Sequence, residues 1–185
     1  MVQSYILKEG IKPTADRREG AFAICGQCPI KSACYVGDHY LNNIYDGTIK
    51  PKDRFPPALL KGRTLRIGAY GDPAAVPYSV WKRMVKNSEG WTGYTHQWRT
   101  CDQQFRHICM ASVESEEAMR EAWANGWKTY RVGLDSEFPL EGEMDCPYYI
   151  FQHEPKMQCI QCQLCKGDSL PRRGRRGRRG RRGRR

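Results

Sequence analysis

Between residues 64 and 134 the apolar positions keep switching between two periods. TLRIGAYG (64–71) combines β-branched and aromatic residues and ends in glycine, which predicts a strand. PYSVWKRMVKN (77–87) then sets Val80, Trp81, Met84 and Val85 on one helical face, with Gly90 read as the residue that closes the helix. GYTHQW (93–98) predicts a second strand, and Phe105 and Ile108 share the face of a short helix. CMASVES (109–115) predicts a third strand. Ser115 then stands as an N-cap, with Glu116 and Glu117 in the first turn. Ala118, Met119, Ala122 and Trp123 repeat the helical spacing, Asn125-Gly126 ends it, and WKTYRVG (127–133) predicts a fourth strand.

Helix–strand alternation of this kind builds a parallel sheet covered by helices. A faint echo supports it: EGWTGY (89–94) and NGWKTY (125–130) each end a helix and open a strand. Four strands are too few for an eight-stranded closure. The expected fold is therefore α/β, an open or partial barrel of parallel βα units with Cys-rich, metal-binding terminal segments. Residues 1–170 are read as one domain, with a connector over 41–63 that includes a short helix near Tyr40–Tyr45.

Charge alters this picture at one place. The chain of 185 residues carries 31 Lys and Arg against 20 Asp and Glu, but ten of those arginines lie in RRGRRGRRGRRGRR (172–185). Without them the body holds 21 basic and 20 acidic side chains and has no basic groove. Glycine at every third position and mutual repulsion predict a disordered tail over 171–185. Nucleic acid is then an expected partner through Arg172, Arg173, Arg175, Arg176, Arg178 and Arg179, by forked contacts to phosphate. No apolar run approaches the ~20 residues that cross a bilayer, so no membrane partner is expected.

The opening MVQSYILKEGIKPTADRR has no seven-residue apolar stretch and no small-residue cleavage site. The expectation is a cytoplasmic chain, held in a reducing compartment. Nine cysteines, an odd number, then point to metal ligation or redox chemistry more than to disulfides.

The chemistry concentrates in two cysteine runs. Cys159-Ile-Gln-Cys162-Gln-Leu-Cys165 lets neighbouring thiolates point into one concavity, as in ferredoxin-type runs, and Cys146-Pro147 upstream offers a fourth ligand. The cofactor this implies is a 4Fe-4S cluster; zinc in a thiolate knuckle is the alternative. Cys25-Gly-Gln-Cys28 with Cys34 forms the second run. The seven thiols divide as four and three, or share one site with spares, and spacing alone leaves this open. Cys101 and Cys109 stand outside both runs and read as plain buried thiols.

A third group lies at the expected carboxyl ends of strands, where parallel sheets gather ligands. There Asp72, Arg99 and Glu114 are the candidate catalytic residues, and Tyr70, His96 and Trp98 the candidate cofactor-binding ones. The competing reading makes Asp72-Pro73 an ordinary turn and pairs Arg99 with Glu114. The glycines of GAYGDP would let backbone approach a ligand.

With SYILKEGIKPTADRREG, AICGQCP…ACYV, LRIGAYGDPAAVP, TGYTHQWR, MASVES and the closing CxxCxLC, the sequence resembles a family of small tailed-phage proteins over residues 4–167. The resemblance implies residence in the host cytoplasm and carries no biochemical activity with it. More distantly the chain is similar to phage proteins with a radical-SAM-like α/β barrel, which implies S-adenosylmethionine as a further cofactor. Cys25, Cys28 and Cys34 depart from the CxxxCxxC spacing of that chemistry. Three functions follow as expectations: a redox or radical-type enzyme acting on an unidentified substrate, a zinc-stabilised binding protein whose tail contacts nucleic acid, and an accessory protein that binds a host partner.

Overall fold

The computed structural model describes residues 1–18, 24–29, 36, 40–48, 57–133, 139–150 and 157–167. Five strands, β1 (Val2–Tyr5), β2 (Thr64–Tyr70), β3 (Gly90–Thr95), β4 (Met110–Val113) and β5 (Thr129–Arg131), form one all-parallel sheet in the order β1-β2-β3-β4-β5. Helices α1 (Pro13–Arg18) and α2 (Leu41–Thr48) lie between β1 and β2. Helix α3 (Tyr78–Asn87) joins β2 to β3, and α4 (Glu116–Ala124) joins β4 to β5. Short α5 (Pro147–Ile150) and α6 (Cys159–Cys162) follow the sheet. Parallel crossovers are right-handed almost without exception, so a sheet wound in strict sequence order carries its connecting helices on one face. No helix among the described residues is long and apolar enough to cross a membrane.

The helical face is held by what the periodicity marks. Trp81 and Val85 of α3 and Met119 and Ala122 of α4 are buried, together with Leu65, Ile67, Ala111 and Val113 of the strands. Ser115 caps α4 as its sequence indicates, its hydroxyl accepting from the Ala118 N–H at 3.2 Å. Trp123 departs from the expected stripe. It is more than a third exposed, and its indole N–H donates to Thr129 Oγ1 at 2.8 Å.

Two boundaries differ from the sequence reading. Gly90 opens β3, and the helix before it ends at Asn87 with Ser88 as its cap. The chain therefore enters the second predicted strand three residues early. The edge strand β1 is an addition to the four expected. Its pairing slips beside β2, from Gln3↔Arg66 to Tyr5↔Tyr70, and Ser4 Oγ spans the irregularity by donating to Arg66 O and accepting from Gly68 N. Gly68 holds φ +64°, and a Cβ there would lie 2.9 Å from Pro73 and from the Gly71 carbonyl. Gly71, at φ +79°, abuts Ile6. The glycines of GAYGDP thus admit the protein's own backbone.

β3 changes partners along its length. Its first four residues pair with β2, whereas its pairing with β4 begins only at Tyr94↔Met110. Beside the first half of β3 lies the C-terminal cysteine segment. Gly93 N–H donates to Cys165 O at 2.8 Å, and the Trp91 indole N–H reaches Ile108 O and Lys166 O, each at 3.1 Å. Gly167 is wedged against the backbone of Arg106 and Cys109, where a Cβ has no room.

Candidate functional site

Strand alternation turns Thr92 and Tyr94 of β3 to the face away from Gly93, whose missing side chain faces Ile67 and Cys109. Thr92 and Tyr94, with Met110, Thr129 and Arg131, wall a cavity of about 1020 Å³. Cys146, Cys159, Cys162 and Cys165 line the same cavity.

Local structure explains how those thiols arrive. Gln158 and Gln161 form a reciprocal capping box at the start of α6, which sets Cys159 and Cys162 three residues apart on one turn. Gln163 then takes a left-handed conformation, φ 52°, and ends the turn. Cys165 follows, bonded through its carbonyl to β3. Cys146 is tethered from the other side. Arg131 of β5 forks onto Glu143, Nε to Oε1 at 2.8 Å and Nη2 to Oε2 at 2.9 Å, and the Leu140 N–H donates to the same carboxylate. The two side chains are only 3% and 10% exposed, and Arg131 holds Glu143 below the usual carboxylate range.

Burial pushes the Cys165 thiol up. The Tyr94 hydroxyl, hydrogen-bonded to it, pulls it down, and Cys146, Cys159 and Cys162 push it up again. Among the described residues, no three His, Cys, Asp or Glu side chains stand together as a metal-ligand group.

The N-terminal run lies elsewhere. Ile24 O accepts from the Asp72 N–H at 2.7 Å, and Cys25 O accepts from Gln97 Nε2 at 3.1 Å. Gly26, at φ +54°, leaves the space that the Gln97 side chain occupies. Cys25 is thus held at the carboxyl edge of β2 and β3, and neither Cys25 nor Cys28 lines the cavity that the other four thiols share. Cys34 lies outside the described residues, as do Arg172, Arg173, Arg175, Arg176, Arg178 and Arg179.

At that edge the structure gathers part of the predicted group. Asp72, 6% exposed, accepts from Thr95 Oγ1 (2.7 Å) and Ala74 N (2.9 Å) on Oδ1 and from His96 N (2.8 Å) on Oδ2. Burial raises its pKa against the pull of those donors. His96 Nε2 lies 3.3 Å from Glu114 Oε1, and neither atom has a hydrogen-bond partner among the described residues. Burial lowers His96 and raises Glu114, so both are pushed toward their neutral forms. Arg99 turns away from this group. It forks onto Glu121 of α4, Nη2 to Oε2 at 2.6 Å, and its guanidinium sits 4.1 Å from the Trp98 ring centroid. Trp98 and Tyr70 are buried in the core. None of Asp72, His96, Trp98, Arg99 or Glu114 lines the thiol cavity. Cys109 is buried as the sequence reading has it, and burial pushes its thiol well above the usual value; Cys101 is only half-buried, with burial pushing its thiol up to about 12.

No family model, curated protein or solved structure matches the chain. The site must be read from its own residues. Those that the sequence reading passed over are Thr95, Gln97, Tyr94 and the Arg131–Glu143 pair. The signal for Tyr94 was present: in GWTGYT, Thr92 and Tyr94 form the polar phase of the alternation, in a strand whose neighbours bury apolar groups.

Proposed function

We propose that the chain is a thiolate-ligated metal protein whose centre, of the iron–sulfur class, is held by Cys146, Cys159, Cys162 and Cys165. The observation that carries this reading is that the four cysteines, from two segments tethered separately to the sheet, line one cavity. Support comes from the chemistry of the residue types: thiolates suit a soft centre, and the Cys-x2-Cys-x2-Cys run with a Cys-Pro upstream favours the cubane over a single zinc ion. When bound, such a cluster supplies one-electron transfer. The protein's own residues hold and shield it: β3 anchors Cys165, the buried Arg131–Glu143 fork steadies the segment bearing Cys146, and Thr92, Tyr94 and Met110 form the floor. The same proposal includes the finer reading of the fold, a partial barrel whose concave face is this floor.

The full chain purified without oxygen is expected to be brown, with a broad absorption near about 400 nm and with iron and acid-labile sulfide in equal amounts. A colourless protein carrying zinc would overturn the cluster and keep the thiolate centre. A colourless protein with neither metal would overturn both.

The arginine repeat favours a second, separable role in binding polyanions. If all ten arginines engaged duplex phosphates, log affinity would fall with log salt at a slope of roughly −9. Partial engagement gives a shallower slope. In titrations across salt, the full chain is expected to bind duplex DNA more tightly than a chain ending at Leu170. Equal affinity would remove nucleic acid as a partner, since the body is nearly neutral.

A further inference from the structure

Cys162 has a cysteine three residues before it and another three residues after it, so the sequence treats Cys159 and Cys165 alike. The fold does not. Cys159 and Cys162 share one helical turn whose shape is fixed at both ends. At its start the Gln158 carbonyl accepts from Gln161 N–H at 2.9 Å and from Cys162 N–H at 3.0 Å, while Gln158 N–H donates to Gln161 Oε1 at 3.0 Å. At its end Gln163 N–H donates to Cys159 O at 3.1 Å. The Gln163 side chain fills the space that a Cβ on Gly90 of β3 would need, which seats the turn on the sheet. Residues three apart on a helical turn have Cα atoms about 5 Å apart. That lies within the roughly 4.4–6.8 Å over which a disulfide closes without moving the backbone. Between Cys162 and Cys165 the left-handed Gln163 breaks the turn, and the Cys165 carbonyl is held by Gly93 N–H. Exposure then separates the two members of the turn: Cys159 is exposed and Cys162 is partly covered. A disulfide in a second molecule meets Cys159 first, with Cys162 one turn behind it. A Cys-x2-Cys pair so presented beside parallel βα structure suits thiol–disulfide exchange.

We propose that Cys159 and Cys162, when they hold no metal, are a dithiol that exchanges with external disulfides, Cys159 attacking and Cys162 resolving. The Cys159 thiolate attacks one sulfur of R–S–S–R. The Cys159–S–R bond forms, the external S–S bond breaks, and the departing R–S⁻ takes up the proton that Cys159 gave up. Cys162 then displaces the second R–S⁻ in the same way, which leaves a Cys159–Cys162 disulfide and two molecules of RSH. Two electrons pass to the external disulfide, which is the oxidant, and an external thiol reverses the sequence. The proposal does not rest on the metal reading. An oxidised pair offers no thiolate to a metal, so the two states exclude each other and are measured apart.

The test incubates the full chain, freed of metal by a chelator, with oxidised glutathione. Free thiols are alkylated with one reagent, the disulfides are reduced, and the released thiols are alkylated with a second. In the tryptic peptide spanning Met157 to Lys166, the second label is expected on Cys159 and Cys162 and the first on Cys165. Before reduction the same peptide should be lighter than its dithiol form by two hydrogens and carry no glutathione. In denaturing urea the preference for Cys159 over Cys165 is expected to vanish, because the spacing on either side of Cys162 is equal. Cys162→Ser should stop at a glutathione adduct on Cys159, and Cys159→Ser should take up glutathione at Cys162 several-fold more slowly. Cys101→Ser should oxidise as the wild type does. A wild-type chain that keeps glutathione on Cys159, or closes Cys162 onto Cys165, would overturn the proposal, and neither result depends on a variant folding. The same pattern in urea as in the native chain would overturn it too, by removing the turn as the cause. Any of these leaves the metal reading standing, and a colourless, metal-free chain leaves this one.

Discussion

Cys162→Ser is expected to lose most of its metal and to unfold at distinctly lower urea concentration than the wild type. The cysteine is the middle member of the x2, x2 run, and the segment that carries it has little else to hold it. Cys159, Ile160 and Leu164 are exposed, and the segment meets the sheet chiefly through the Cys165 carbonyl, the Trp91 indole, the Gly167 wedge and Lys128 Nζ, which reaches Gly167 O at 3.2 Å. In small thiolate sites the energy of metal binding is folding energy, on the order of 10 kcal/mol for a complete ligand set. Removing one ligand of four forfeits a sizeable part of it, roughly 3 kcal/mol or more. Cys101→Ser is the control: half-buried, outside both runs and with no place at the cavity, it should keep its metal. Metal content per chain and urea midpoints check both variants. Full metal content with unchanged melting in Cys162→Ser would overturn the assignment of this ligand.

Asp72→Ala is expected to cost about 3–5 kcal/mol, independently of any metal. The carboxylate accepts from three donors, and the substitution would leave the Thr95 hydroxyl and the Ala74 and His96 N–H groups facing an apolar methyl in the interior. It would also cut a link between the carboxyl ends of β2 and β3, where the Cys25 turn is anchored through Ile24. Asp72→Asn keeps the shape, but one oxygen must become an NH₂ that confronts a donor, so an intermediate loss is expected. Denaturant unfolding of the three proteins measures this. A loss below about 1 kcal/mol for the alanine variant would show that the edge does not depend on this carboxylate.

The placement of Asp72 shows where sequence reasoning reaches its limit. Its position at the end of the first predicted strand was legible, because TLRIGAYG ends on glycine and Asp-Pro follows. Whether its oxygens face a ligand or the protein depends on Thr95 and His96, which are 23 and 24 residues away. The same holds for Arg99. Its nearness to the strand ends was readable, but Glu121, on the next helix, takes the guanidinium. His96 and Glu114 were both placed at the edge by strand counting, and they do meet there, 3.3 Å apart.

What the amino-acid sequence determined by itself is local. Apolar spacing of 3.6 residues and its alternation over single strands are written in neighbouring residues, so α3, α4, β2, β4 and β5 were recognisable along with the Ser115 cap. That Cys159, Cys162 and Cys165 reach one cavity was equally legible, since they lie in one short stretch of chain. Only the tertiary structure decided the rest. The four-residue β1 carries too few positions to show a period, and it becomes a strand by pairing with β2 some 60 residues later. The division of Cys25 and Cys28 from the C-terminal four depends on which face and which edge of the sheet each segment reaches. The grip of β3 on Cys165 closes a loop of about 70 residues. Contacts of that span arise from packing and loop closure, which no short window of residues encodes.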